Sequence, residues 1–364
     1  MSMTTPGTGK GSLLLIAALV SVIAQRPSFG REGKTTSPTL DAAFLHAVNV
    51  GNIAKVKKLL DRGVNINARD DRGNTALHLI ACSDHHSLMI LLLSKGIDAN
   101  AQSRSGLTAL MMASKFAMLK TMRRLLDHSA DPNLRDEDGR TALMHLLWDE
   151  ASAQTHRHFY SQEDKLEAVK LLLSKGAKAE DRDSKTRWTP LIYESTSLYF
   201  DLDYDIVALL ASKGADVNAA GKYGSTALMY AALGSKDPRI VKLLLDKGAD
   251  VNARDHNGTS AILNATHNLT PAQAEIFEIL VGRGADINAQ DNEGNTPLHF
   301  AAKFGKIDTL KIIMRHKPDV DATDKKGETP LEAAESNHHS KVIDKKRYDQ
   351  VVEILTRAGA RKRK

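Results

Sequence analysis

The sequence predicts an all-α solenoid of about nine helix-turn-helix repeats, and three observations lead there. The 33-residue stretch Asp291 to Thr323, DNEGNTPLHFAAKFGKIDTLKIIMRHKPDVDAT, can be laid over most of the remaining chain. Within it, Asp291 to Gly294 reads as a turn, and Thr296-Pro297 opens a short helix with proline in the first turn, where no amide donor is lost. Leu298, Ala301 and Ala302 give that helix an apolar face, and Ile307, Leu310, Ile312 and Ile313 give a second helix another. Neither face can be buried within one unit, so burial needs neighbouring copies. This is why 364 residues read as one elongated domain rather than as two or three globular ones.

Composition agrees. A hydrophobic content of 42% with only 5% aromatic suits helix pairs packed through Leu, Ile, Val and Ala. A formal charge of +6 is mild over this length, and the dense basic run is Arg361 to Lys364. The single cysteine, Cys82, excludes an intrachain disulfide and any zinc site built on cysteine pairs.

The N-terminus reads as an address. Lys10 precedes Leu13 to Ala24, LLLIAALVSVIA, an apolar run of signal-peptide length with small residues Val22 and Ala24 at the positions a signal peptidase inspects. Residues 1–24 are thus expected to be removed before Gln25, and residues 25–36, rich in Ser, Thr, Pro and Gly, to form a flexible leader.

The repeats run in order along the chain. The first, near 37–69, lacks the turn signature but keeps both helices, as expected of a terminal cap. The second (70–102) contains DRGNTALH and the third (103–135) SGLTALMMASKF. Gly63 and Gly96 fall just past the last helical turn, where a left-handed residue is usual; Ser129 and Lys317 replace glycine there, at a strain of about 1 kcal/mol each. The fourth (136–183) carries an insertion of roughly fifteen residues before a second helix expected from Lys165, and the fifth (184–220) about four extra residues in the same place. The sixth (221–254) is close to pattern. In the seventh (255–290), Thr270 reads as an N-cap followed by Pro271. The eighth (291–323) is the opening unit, and the ninth (324–361) is a C-terminal cap with a polar insertion, NHHSKVIDKKR, ahead of a basic tail, 362–364.

The TPLHxAA pattern at this period resembles the ankyrin repeat, over about Ser37 to Arg361. The resemblance implies short β-hairpin fingers, and threonine and histidine of the Thr-x-x-His motif (His78, His299) bonded to turn backbone between units. It also implies a concave face of fingers and first helices that binds other proteins. No cofactor and no enzyme activity is expected: no phosphate loop, nucleophile elbow or HExxH occurs, and almost no chain lies outside the repeats.

Other chemistry reads weakly. His156 and His158 with Asp149, Glu150, Glu163 and Asp164 could supply metal ligands, but HxH in a polar loop has no fixed geometry, and no metal is expected. His85-His86 and His338-His339 read as solvated in the same way. Asp201, Asp203 and Asp205 lack the glycine and glutamate of a calcium loop and read as a helix start. The residues expected on the partner-facing surface are Arg72, Asn74, Arg104, Leu107, Lys115, Phe116, Arg140, Trp148, Tyr223, Lys303 and Phe304, with Phe159 and Tyr160 as one wall. Eight of the seventeen aromatics lie between Trp148 and Tyr204, a clustering that fits either a binding hot spot or local core packing. The expectation is an exported, monomeric, protein-binding scaffold in a bacterial periplasm or outside the cell, free of membrane after cleavage. Nucleic acid is not expected as a partner; a nucleic-acid or anionic-surface binder using the basic tail, and a metal-dependent activity at the fourth-repeat histidines, are the alternatives.

Overall fold

The computed structural model describes residues 39–148, 160–196, 202–266, 270–339 and 343–361. Residues 1–38, which include the expected signal and leader, most of the fourth-repeat insertion with His156, His158 and Phe159, and the tail beyond Arg361 lie outside the described residues. Among the described residues there are eighteen helices and no strand beyond one bridge, Ala220 to Thr226. The helices run in nine consecutive pairs, from Leu40–Asn49 with Ile53–Asp61 to Pro330–His339 with Lys345–Arg357. They belong to two compact units, one ending at Arg104 and the other beginning at Ser105.

In the first unit, helix Leu40–Asn49 packs on Ile53–Asp61 and on Ala76–Ile80, burying Phe44, Val48, Val56, Leu77 and Ile80. His85 and His86 are not in a solvated loop: His85 is the N-cap residue of helix His86–Ser94. Its ring occupies the space beside Gly51, where a Cβ would come 2.5 Å from the ring carbon Cε1.

In the second unit, first helices stack on first helices and second on second, so the two apolar faces of each pair meet copies of themselves. Leu110, Leu143, Leu191, Leu228, Ile262 and Leu298, each two residues after the Thr or Ser that starts its helix, are all fully buried. Threonine starts most first helices because its hydroxyl accepts a backbone N–H one turn in, as Thr189 does from Ile192 at 3.3 Å and Thr296 from His299 at 3.3 Å. Such a cap is worth about 1 kcal/mol. His299 adds a second link: its Nδ1 accepts the Thr296 N–H at 3.2 Å, which leaves Nε2–H to donate to the Glu328 carbonyl at 3.0 Å in the next repeat. Burial lowers the His299 pKa, consistent with this neutral tautomer.

The fingers are turns held by side chains and not β ladders. In each regular finger an aspartate opens the turn and accepts the N–H groups two and four residues on, as Asp291 does from Glu293 at 2.9 Å and Asn295 at 2.8 Å. Successive fingers of this unit are joined by one backbone bond, such as Glu137 N–H to Ser105 O at 3.1 Å and Lys325 N–H to Glu293 O at 2.8 Å. That close approach requires glycine: a Cβ at Gly294 would lie 2.8 Å from Asp324 Cα. Past the second helices the reason is different, since a Cβ at Gly176 would meet nothing and only its φ of +88° favours glycine. Ser129 and Lys317 take that conformation with φ of 63° and 52°, as the sequence predicts.

Several boundaries differ from expectation. The second helix of the fourth repeat begins at Gln162, not Lys165, because Ser161 caps it, accepting Asp164 N–H at 3.0 Å. Asn337, His338 and His339 extend the first helix of the last repeat, with His338 stacked on Tyr348 at 4.6 Å, rather than sitting in a solvated insertion. Thr270 is an N-cap as read, and the helix start expected at the acidic run is capped by Asp203 with Asp205 in the first turn, while Asp201 lies outside the described residues.

One buried charge pair bridges repeats four and five. Lys165 Nζ lies 2.7 Å from Glu194 Oε2, and Glu194 Oε1 accepts the Asp203 N–H at 3.2 Å. Burial pushes the Glu194 carboxyl above its ordinary range, against the opposing pull of Lys165. Removing one partner strands the other charge, so Lys165→Met should cost about 3–5 kcal/mol in urea melts, while Lys165→Met with Glu194→Leu should recover most of it. Equal losses in the single and double variants would contradict the pairing. Cys82, half-exposed just after helix Ala76–Ile80, should react with a thiol reagent in the native protein; reaction only after denaturation would contradict its placement.

Candidate functional site

The fifth finger breaks the pattern. Asp136 to Thr141 spans five steps of chain, but Asp183 to Thr189 spans six, so this finger holds one extra residue. Buried Asp183 compensates by accepting more donors than its counterparts: the N–H groups of Lys185 (2.8 Å), Thr186 (2.6 Å) and Trp188 (3.0 Å), the Thr186 hydroxyl and the Tyr193 hydroxyl (3.0 Å). Burial alone would raise the Asp183 pKa, but these hydrogen bonds outweigh it and hold the carboxyl below its ordinary value. Burial pushes the Tyr193 phenol well above its usual range, and the Asp183 carboxylate adds to it.

The extra residue delivers Trp188 to the finger base, where its indole lies over the start of the sixth finger. That finger opens with Gly221 in place of aspartate, and a Cβ there would come 2.7 Å from Trp188 Cδ1. Around Trp188 an aromatic cluster forms: Trp148 at 6.1 Å, Tyr193 at 5.3 Å and Tyr230 at 5.6 Å between ring centroids, with Trp148 and Tyr193 also 5.3 Å apart. The rings meet tilted or edge to face, the arrangement favoured by their quadrupoles. The Arg140 guanidinium lies over the Trp148 ring at 4.8 Å and pairs with Asp138 at 3.4 Å. Tyr193 is the buried base, while Trp148, Trp188 and Tyr230 are half-buried. Two donors, Trp148 Nε1–H and Arg140 Nε–H, are buried and meet no acceptor among the described residues.

Of the residues expected at a partner surface, the structure brings together Arg140 and Trp148 here, and Tyr160 at its margin, its hydroxyl donating to Leu146 O at 3.3 Å. Tyr223, on the sixth finger, is 65% exposed with Lys222 Nζ 5.8 Å from its ring. Leu107, Lys115 and Phe116 are half-buried on the third repeat, and Phe159 lies outside the described residues. Lys303 and the 42% exposed Phe304 belong to the eighth repeat, where Phe304 lines a cavity of about 320 Å³ with Thr266, Phe300 and Lys306. In the other unit Arg72 and Arg104 are exposed, but Asn74 closes its own finger through Asp70 at 3.0 Å. Trp188 and Tyr193 belong to the aromatic interval expected as either hot spot or core packing, though not to the residues placed on the partner-facing surface, and Tyr230 lies outside that interval. The signal for Trp188 was the longer gap between Asp183 and Thr189; nothing in the sequence pairs Tyr230 with it.

Among the described residues no group of three or more His, Cys, Asp or Glu could hold a metal, and no helix is long and apolar enough to cross a membrane. Glu163 and Asp164 lie in the first turn of helix Gln162–Ser174; the other candidate ligands at that insertion lie outside the described residues.

The Asp183 carboxylate sets a pH dependence. Because its folded pKa is depressed, the stability it contributes is present above about pH 4 and is lost as pH falls through the folded value. Asp183→Asn should cost about 2 kcal/mol near neutral pH and flatten the acid limb of the urea-stability profile. A parallel profile at lower stability would contradict the assignment.

Comparison with known proteins agrees with this geometry. The family description "ankyrin repeats (3 copies)" matches residues 43–136, 90–152, 157–255 and 262–345, well over half of the chain. A protein described as an ankyrin repeat protein, L91 of Acanthamoeba polyphaga mimivirus, is 39% identical over 70 residues, 18% of this chain and 11% of that relative, so the match spans a small part of its length. Ankyrin repeats generally mediate protein–protein interaction, and proteins built from them are typically non-enzymatic scaffolds. With its consecutive helix pairs, threonine-capped first helices and stacked fingers, the chain belongs to the ankyrin repeat family.

Proposed function

We propose that the chain is an exported, non-enzymatic scaffold whose protein partner docks on the finger and first-helix face of repeats four to six. The observation that carries this reading is the half-exposed cluster of Trp148, Trp188 and Tyr230 over Tyr193. Large aromatics with low entropy cost dominate binding hot spots. Core packing alone would enclose the indoles, whereas here the two tryptophans keep exposed edges. Export rests on the Lys10, apolar-core and Val22/Ala24 arrangement, with a bacterial periplasm or the cell exterior as the compartment.

The two parts of the proposal are tested separately. N-terminal sequencing of the protein from its native host should find Gln25 or a close neighbour; an intact Met1 or Ser2 in a cytosolic fraction overturns export. For the surface, partner capture and denaturant melts are paired for Trp148→Ala. A hot-spot residue loses about 2 kcal/mol or more of binding with little change in folding. A core residue would instead lose about 3–5 kcal/mol of stability with partner affinity intact, and that result removes the site.

A further inference from the structure

The fifth finger carries a second irregularity that the packing of the aromatic cluster does not require. In seven other fingers the left-handed turn residue is glycine, Gly73, Gly106, Gly139, Gly224, Gly258, Gly294 and Gly327, with φ between 75° and 85°. In the fifth it is Arg187, with φ of 58°. An arginine held in a conformation that costs nothing for glycine is retained when its side chain is used, because the surrounding fold gains nothing from the strain. Arg187 is exposed and makes no ion pair among the described residues.

Two more exposed cations stand beside it. Lys185 lies two residues earlier on the same finger, and Lys222 lies on the sixth, joined to the fifth by its backbone N–H to Thr186 O at 2.7 Å. Neither forms an ion pair among the described residues. Finger four differs: its tip carries Glu137 and Asp138, and Asp138 pairs with Arg140. Exposed cations without an ion pair among the described residues also stand on the ninth finger, Lys325 and Lys326, but fingers five and six place three of them beside the aromatic cluster. These three border half-exposed Trp188 and Tyr230 and the exposed ring of Tyr223.

We infer that fingers five and six recognise an acidic protein segment that presents an apolar or aromatic side chain among its carboxylates. Arg187, Lys185 and Lys222 meet the carboxylates, and Trp188 with Tyr223 and Tyr230 seats the apolar side chain. Arginine at the centre of the three suits a carboxylate because its planar fork donates two parallel hydrogen bonds. The acidic tip of finger four repels the same segment and so sets its direction across the face. This inference names the partner chemistry of the protein-binding face proposed above and rests on that reading.

The test uses the full chain and a fluorescein-labelled peptide of alternating glutamate and serine around one phenylalanine, read by fluorescence anisotropy. Binding is expected, and it should weaken steeply with added salt because the cations are exposed. Arg187→Gly should weaken it about three- to fivefold, the loss of one exposed charge contact, while leaving the urea midpoint unchanged or raised, because glycine relieves the left-handed backbone. Lys185→Ala and Lys222→Ala should each weaken it by a similar factor, and phenylalanine-to-alanine in the peptide should weaken it further. No binding of the acidic peptide, or equal affinity of wild type and Arg187→Gly, overturns the inference. A lysine-for-glutamate peptide bound as tightly overturns the charge assignment but leaves a protein-binding face standing. An oligothymidine bound as tightly, with no effect of Trp188→Ala, would replace the protein segment with nucleic acid. Capture of the native partner unaffected by Trp148→Ala and Trp188→Ala together is the separate result that removes the face itself.

Discussion

The structure of the second unit depends on the backbone hydrogen bond that joins each finger to the next. One N–H to O contact per junction, 2.7 to 3.1 Å from Glu137 onward, holds neighbouring turns in register. Two local devices make that contact attainable: an aspartate that gathers the N–H groups of its own turn, and a glycine whose missing Cβ lets the next finger approach. Threonine then starts the first helix directly after the turn, so finger register fixes helix register. Stacked helices bury an aliphatic side chain at the same first-helix position of successive repeats, and the apolar area removed from water at each interface supplies the stability that no single repeat could hold.

The same constraint explains why an irregular finger has consequences. The fifth finger contains an extra residue yet still meets the sixth, through Lys222 N–H and Thr186 O. The additional length is absorbed by Asp183, which accepts from both its own turn and Tyr193, and by the arginine in the left-handed position. Trp188 is thereby placed over Gly221, and the aspartate that opens most other fingers is absent from the sixth because the indole fills its space. Clustering of Trp148, Tyr193 and Tyr230 around that indole results from the stacking of three consecutive first helices.

Much of this was legible in the sequence, and the reasons for the rest are physical. The period, the two apolar faces and the threonine starts at Thr189, Thr226 and Thr296 are local patterns repeated many times, so the helix pairs could be read directly. The left-handed residues Ser129 and Lys317 could be inferred from the glycines in equivalent places. Helix starts were less clear where capping came from outside the repeat pattern, as at Ser161, and the helix continuing through His339 was hidden by polar composition. The site was half visible. Trp148 and Arg140 sit at fixed repeat offsets, whereas the meeting of Trp188 with Tyr230 depends on how far the fifth finger reaches, which is set by three-dimensional register and not by spacing.

Regular and irregular repeats divide the labour of function between them. Regular repeats supply a rigid frame, and the irregular fifth finger displays an arginine, two lysines nearby and indole surface to whatever lies against it. Site-specific photo-crosslinking tests this most directly. Tyr223, on the sixth finger and 65% exposed, is replaced by a photoreactive phenylalanine derivative in the native host, and the same residue is placed at Ile90, 44% exposed on a second helix of the other unit. The account predicts a partner adduct from position 223 and none from position 90. Adducts from position 90 alone would contradict it and move the partner away from the fifth and sixth fingers.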